Sequence, residues 1–129
     1  MATQHAEAQR RAPPAAAEAA QASAAARDGT YNGRLCNQLA NGKSNCWPVA
    51  LVVRKGVAEG SWLSGTQNTS RANGTIAVNG VFELKLAGWT REGVPIEGVL
   101  VGRVTDDAIS ASGQWRDGAP IVGEWKRMQ

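Results

Sequence analysis

Two cysteines and one histidine are the residues of this chain best suited to covalent or metal chemistry. Cys36 and Cys46 are separated by nine residues, whereas His5 stands near the start of the chain, far from any aromatic residue. A catalytic serine or cysteine needs a neighbouring base, which is most often histidine. The sequence therefore predicts no nucleophilic active site, and it supplies too few ligands for a zinc site built from several cysteines and histidines.

The carboxylates have the spacing of solvent-facing residues. Glu83, Glu97 and Glu124 each alternate with apolar neighbours, whereas acid–base chemistry requires two carboxylates that converge on one cleft. Asp106 and Asp107 fit a turn better than a calcium site, which needs more oxygen ligands. The glycines do not follow the spacing of a phosphate-binding loop. We therefore expect that the protein is not an enzyme and has no cofactor or metal.

The charge and the apolar patterning exclude two further classes of protein. The chain has 14 Lys and Arg against 11 Asp and Glu, a net charge of +3, and its arginines are scattered. Nucleic-acid binding requires a dense, one-sided arrangement of basic residues. No apolar run approaches the roughly 18 residues that a membrane-spanning helix needs. We expect neither a nucleic-acid partner nor a membrane span.

The two cysteines indicate a cellular compartment. Cys36 is predicted to close a first strand and Cys46 to open a second, so a hairpin would bring them within reach of a disulfide across the loop Asn37–Asn45. Such a pair without a third cysteine favours an oxidising compartment, and hence a periplasmic or secreted protein. The alternative is a pair of unbridged thiols in a cytosolic protein.

The composition changes abruptly near residue 28. Residues 1–27 contain 13 alanines and no glycine, aromatic, Leu, Ile or Val, whereas all 15 glycines and five tryptophans follow. Such a segment cannot bury enough apolar area to fold by itself. We predict a flexible Ala/Pro-rich tail or linker at 1–27, marginally helical over Ala15–Arg27, and one domain at 28–129. An export signal or an organellar transit peptide is the alternative interpretation of the tail.

The domain is predicted to be an all-β meander, because short alternating runs are separated by turn residues at regular intervals. Asn79 and Gly80 suit a tight type I′ hairpin turn, and the polar segment Ser64–Asn73 is predicted to be a loop. The eight predicted strands are Thr30–Cys36, Trp47–Arg54, Val57–Leu63, Thr75–Val78, Val81–Ala87, Pro95–Val104, Ala108–Trp115 and Ile121–Arg127. About eight antiparallel strands can close into a small up-and-down barrel, which removes exposed sheet edges.

Alternation within the strands assigns side chains to the two faces of the sheet. Phe82, Leu84 and Leu86 share one face, which we take as the interior. Glycine precedes tryptophan by two residues at Trp62, Trp115 and Trp125, a small/large alternation that is typical of barrel interiors. The tryptophans are therefore core residues or, in part, the lining of a ligand cavity at the barrel mouth.

Several valines fall on the predicted outer face. Val52, Val57, Val99 and Val101 alternate with charged residues, and such an outer strip can mark a contact with another subunit. Valine also simply suits strands. The alternative interpretation is that the inward and outward faces of the sixth strand are exchanged, since its predicted inward set includes Gly98 and Gly102.

Some local strings resemble known families of small secreted barrels. Gly29-Thr30-Tyr31-Asn32, Gly88-Trp89-Thr90 and Ser112-Gly113-Gln114 resemble strands of avidins, and the architecture is similar to that of avidins and lipocalins. This resemblance implies a pocket for a small ligand formed by Asn32, Trp62, Trp89 and Trp115. The bridged first hairpin with its leading segment also resembles secreted inhibitors of bacterial proteases, whose extended N-terminus enters the enzyme.

Three hypotheses about function follow. The leading hypothesis is a non-catalytic, exported binding or accessory module that contacts a larger protein partner through the barrel surface and the tail. The second is an avidin- or lipocalin-like binder of a small molecule at the tryptophan-lined mouth. The third is a protease inhibitor that acts through its N-terminal segment.

Overall fold

The computed structural model describes residues 25–63 and 68–129, which form eight antiparallel β-strands. The strands are β1 (Gly29–Gln38), β2 (Ser44–Arg54), β3 (Val57–Leu63), β4 (Thr69–Ile76), β5 (Val81–Trp89), β6 (Pro95–Thr105), β7 (Ala108–Trp115) and β8 (Pro120–Arg127). Each strand pairs with the next along the chain, and β8 pairs with β1, so the sheet closes into a barrel. The predicted eight-stranded barrel is confirmed. No helix in these ranges is long and apolar enough to cross a membrane.

The fourth strand differs from its prediction. β4 begins at Thr69, so the segment after residue 68 is strand and not the predicted loop, and Val78 lies in the following turn. The cause is an alternation of small and polar residues: Ser70 and Ala72 face inward, whereas Arg71 and Asn73 face solvent. Small side chains suit the narrow interior but carry a weak hydrophobic signal. Residues 64–67 of the predicted loop, and residues 1–24 of the predicted tail, lie outside the described residues.

The first hairpin is longer than predicted and contains a disulfide bond. Cys36 and Cys46 are directly opposite each other, with their Cα atoms 4.0 Å apart, and their sulfurs are bonded. The ladder continues beyond them to Gln38 and Ser44, which leaves a short connection. The predicted bridge is therefore present, and four of the nine residues of the loop it closes continue the β-ladder.

The core lies inside the barrel and consists of the predicted inward residues. Phe82, Leu84 and Leu86 are buried, as are Trp115 and Trp125. Glycines allow the strands to coil this tightly: a Cβ on Gly113 would lie 1.8 Å from Val99 O. The interior of this part of the barrel is therefore filled with side chains.

The outward valines do not form one strip. Val52 and Val57 lie on β2 and β3, whereas Val99 and Val101 lie on β6, three to four strands away around the barrel. All four are exposed, while Leu100 between the second pair is fully buried. The predicted outer face is confirmed, the faces of the sixth strand are not reversed, and the valines make two separate patches.

The ladder between β2 and β3 is short. It registers three pairs among the described residues, from Val52↔Glu59 to Arg54↔Val57, whereas β1 and β2 register ten. Directly opposite residues in an antiparallel pair alternate between a wide, hydrogen-bonded and a narrow, non-bonded spacing. The 4.0 Å Cα separation between Cys36 and Cys46 is narrow, so the backbone nitrogen of Cys46 points away from β1 and toward β3. The nitrogen of Pro48, two residues later, points the same way. Because proline has no N–H to donate, it suits the point where this ladder has ended.

One end of the barrel, which we call the anchored end, contains Arg27, Tyr31 and Arg127. Arg27 donates to Ala77 O and Val78 O at 3.0 Å each, and Tyr31 Oη donates to Arg27 O at 2.8 Å. The last described residues before β1 are thus bonded across this end of the barrel.

Arg127 organises the same end. It forms an ion pair with Asp107, donates to Ala26 O at 2.6 Å and lies 5.8 Å from the centroid of the Tyr31 ring. The hydrogen bond with Asp107 raises the pKa of Arg127 above its usual value. Burial raises the pKa of Tyr31, against the opposing effect of the Arg127 charge. A network of charged and hydrogen-bonded groups therefore closes the anchored end.

Candidate functional site

The opposite end of the barrel, which we call the tryptophan end, carries Trp47, Trp62 and Trp115 on inward positions of three strands. Trp47 lies near the start of β2, Trp62 near the end of β3 and Trp115 at the end of β7. Trp115 is buried, whereas Trp47 and Trp62 are partly buried and pack against the core together with Ile96. The aromatic rings therefore form a layer between the core and the solvent at this end.

The indole N–H of Trp115 has an acceptor inside the protein. It donates to Asn37 Oδ1 at 2.7 Å, which connects β7 to β1. Deeper in the barrel, Trp125 Nε1 donates to Val49 O at 3.0 Å. Both rings are thereby held in one orientation, since a buried N–H strongly favours keeping its acceptor.

Trp47 differs from these two. Its Nε1 is buried and has no hydrogen-bond acceptor among the described residues. Its ring lies beside that of Trp62, with 6.1 Å between the centroids and an angle of 39° between the planes. A buried donor without an acceptor is rare in proteins because it loses its bond to water and gains nothing in return.

Small residues flank the Trp62 ring. Gly88 on β5 is buried, and a Cβ there would lie 3.0 Å from Ser70 Oγ and 3.7 Å from the Trp62 ring. Ser70 is the one buried polar residue of the described barrel, and it has an interaction partner. Glycine and serine at these positions keep side-chain bulk away from one side of the indole.

Exposed apolar side chains surround this end. Four such residues, which we call the apolar rim, lie on the strand ends and connections next to the tryptophans: Leu39, Leu63, Trp89 and Val94. The anchored end also has exposed apolar side chains, those of Val57, Val78 and Met128, but it has no layer of indole rings and is crossed by the hydrogen-bonded network of Arg27 and Arg127. The two ends of the barrel therefore offer different chemistry to a partner.

The structure separates the four residues that the avidin resemblance implies. Trp62 and Trp115 face inward at the tryptophan end, whereas Trp89 faces outward, 37% exposed, at the adjacent end of β5. Asn32 is exposed on the outer wall of β1, beside Arg34 and Lys126 across a shallow concavity. Asn32 and Trp89 thus lie away from the interior that holds the other two.

Two residues of this end were not singled out from the sequence. Trp47 shares its face with Val49, Leu51 and Val53, so strict alternation along β2 was a sufficient signal for its inward position. Asn37 carried no such signal, because its role depends on Trp115 of a distant strand. Within the described ranges, no group of three or more His, Cys, Asp or Glu is placed to hold a metal ion.

Comparisons with known proteins give a fold and no family. No family model and no curated protein matches the chain. Among solved structures, it is similar to a redesigned β-barrel, with a TM-score of 0.53 and 12% identity over 83% of this chain and 96% of the other. A de novo designed fluorescence-activating β-barrel has a TM-score of 0.48 and 21% identity over 82% of this chain and 98% of the other. At this identity the first likeness shows the barrel fold alone.

Proposed function

We propose that the chain is a non-catalytic, exported binding module whose tryptophan end holds an apolar group of a small-molecule ligand. The contrast between the two ends supports this proposal most directly. One end is closed by Arg27 and Arg127, while the other presents partly buried indole rings inside an exposed apolar rim. Ligands of barrels enter at such mouths, where apolar walls carry a few polar groups.

The absence of inward charge at this end determines what the site can do. The inward side chains described there are uncharged: Asn37, Trp47, Trp62, Ser70, Ile96 and Trp115. Proton transfer and nucleophilic attack require ionisable groups that converge on the substrate. The site is therefore suited to binding and has no group for acid–base catalysis among these residues.

A titration of the intact chain with neutral naphthalene derivatives, followed by tryptophan fluorescence, tests the proposal. We expect a saturable change that is lost in Trp62→Ala and kept in Trp89→Ala, which removes an outward indole of the same size. Equal binding by both variants would place the site elsewhere. No binding by the folded wild-type chain would refute the proposal.

Export is the second component of this proposal, and the Cys36–Cys46 bond supports it. The bridge is expected to form only in an oxidising compartment. Mass spectrometry after alkylation of the protein in intact cells should find both cysteines protected. Full alkylation without added reductant would indicate a reducing compartment.

A protein partner is a second candidate function, and the position of Arg27 favours it. Arg27 donates to Ala77 O and Val78 O, so the chain before β1 meets the barrel at the anchored end, opposite the tryptophan rings. Inhibition of secreted bacterial proteases is one form of this function. Deletion of residues 1–24 keeps the Arg27 contacts and should abolish inhibition, whereas unchanged inhibition would exclude the N-terminal mechanism.

A further inference from the structure

We infer that the ligand of the tryptophan end is an uncharged aromatic compound whose hydrogen-bond acceptor, such as a ketone oxygen, binds Trp47 Nε1. This inference rests on the proposed binding function and specifies the class of ligand. The observation that supports it is a difference between the indole N–H groups of Trp47 and those of Trp115 and Trp125. Trp115 and Trp125 donate to Asn37 and Val49, whereas Trp47 has no acceptor in residues 25–63 and 68–129.

An unpaired donor determines what the ligand must carry. Burial of an N–H without an acceptor is unfavourable, and a ligand that supplies one removes that cost on binding. A ligand of the same shape without an acceptor leaves the cost in place. The site should therefore distinguish two compounds that differ only in one carbonyl oxygen.

The neighbouring rings determine the rest of the ligand. Trp47 and Trp62 lie 6.1 Å apart at an angle of 39°, an arrangement in which the two faces diverge on one side. Aromatic rings favour offset or tilted contacts at centroid distances of about 4.5–7 Å. A flat ring beside this pair gains such contacts.

The strands that carry the two rings have no registered backbone pair at the level of the rings, although β3 still lies against β2 at Gly60, where a Cβ would be 2.5 Å from Ala50 O. The β2–β3 ladder ends at Val52↔Glu59, so no registered backbone pair connects the strands at the level of Trp47 and Trp62. Pro48 has no N–H to donate on that side. An acceptor can therefore reach the buried Nε1 by a small displacement of one ring, without breaking registered strand pairs.

Charge excludes the ionised members of the same class. The inward residues described at this end carry no cation that could pair with a carboxylate. An ion buried among indole rings without a partner is strongly disfavoured. A neutral ketone should bind, whereas the corresponding carboxylate should not.

Three compounds of matched shape test the inference: 2-acetonaphthone, 2-ethylnaphthalene and 2-naphthoate. We expect the intact chain to bind the ketone roughly 5- to 100-fold more tightly than the hydrocarbon, as for a buried donor that gains its acceptor, and the carboxylate most weakly. In Trp47→Phe, which keeps an aromatic ring but has no N–H, the ketone and the hydrocarbon should bind equally. In Trp62→Phe the preference for the ketone should persist.

The indole N–H resonances of the wild-type chain provide a second readout that does not depend on a variant. The Trp47 signal should move downfield with the ketone and not with the hydrocarbon. The Trp115 signal should stay in place, because its N–H keeps the hydrogen bond to Asn37. Equal affinity for both compounds, with no movement of the Trp47 signal, would overturn the inference and leave the proposed binding function intact. If none of the three compounds binds the folded chain, the proposed function fails as well.

Discussion

Trp115 Nε1 and Asn37 Oδ1 are 2.7 Å apart although the two residues are 78 positions apart in the chain. This hydrogen bond connects β7 to β1 at the tryptophan end, on strands that do not pair with each other. It fixes the Trp115 ring over one side of the core, whereas the N–H of Trp47, at the same end, has no acceptor in the described part of the chain.

The first prediction concerns this bond. Asn37→Ala removes the acceptor of a part-buried indole N–H, so we expect the free energy of unfolding to fall by about 1 kcal/mol. Urea denaturation measures the loss. Gln38→Ala, at the exposed next position of β1, is the matched control and should change stability by less than about 0.5 kcal/mol. Equal effects of the two changes would contradict the assigned role of Asn37.

The second prediction uses the single tyrosine of the chain. Burial raises the pKa of Tyr31 above its ordinary value of 10.0, so the unfolded chain loses this proton at a lower pH than the folded chain. The contribution of Tyr31 is present below pH 10 and is lost as the pH rises through the folded-state pKa. Absorbance at 295 nm should show one phenol that titrates above pH 10 in the folded protein.

The variant Tyr31→Phe separates the hydrogen bond from the titration. Loss of the bond to Arg27 O should lower stability at pH 7 by about 1 kcal/mol. Above pH 10 the variant should lose less stability than the wild type for each unit of pH. Parallel stability profiles for the two proteins would show that Tyr31 does not titrate with folding.

The third prediction concerns the disulfide bond. Cys36 and Cys46 are ten positions apart, and closing a loop of this size should contribute about 2–3 kcal/mol through the entropy of the unfolded chain. Reduction should lower the denaturation midpoint by the corresponding amount. The double variant Cys36→Ser, Cys46→Ser should show the lower midpoint with or without reductant. If reductant left the wild-type midpoint unchanged, the bond would not constrain the unfolded chain.

The fourth prediction follows from the short β2–β3 ladder. The amides of Cys46 and Ala50 point toward β3, beyond the last registered pair, whereas those of Val49 and Leu51 point toward β1. Hydrogen exchange should be faster at Cys46 and Ala50 by about tenfold or more, equivalent to about 1.4 kcal/mol of opening free energy. Equal protection of all four amides would show that β2 is bonded equally on both sides.

The local pattern was sufficient for most of the fold. Alternation identified the inward faces of β5, β7 and β8, because this signal depends on a few adjacent residues. Asn79-Gly80 located the connection between β4 and β5, but the predicted type I′ turn is wrong, since Gly80 has a positive φ of 88° and Asn79 does not. The start of β4 was missed, since Ser70 and Ala72 are small residues that carry little hydrophobic contrast. A narrow interior selects such residues for their volume, which a hydrophobic pattern does not measure.

The candidate site depended less on local pattern. Trp62 and Trp115 were identified from their spacing to glycine, whereas Asn32 and Trp89 were implied by short strings and lie outside the barrel interior. The partner of Trp115 and the missing partner of Trp47 depend on which strands meet across the barrel. No spacing along the chain contains that information.

By itself, the amino-acid sequence determined that residues after 28 form antiparallel strands with one apolar face, because side-chain direction alternates with every residue of a strand. Only the tertiary structure decided that Arg27 closes one end and that uncharged indoles line the other. Those contacts join residues far apart in the chain, and closure of the barrel is what brings them within hydrogen-bond distance. The chemistry proposed for Trp47 is likewise a property of the closed barrel, because the groups packed around a donor decide whether it has an acceptor.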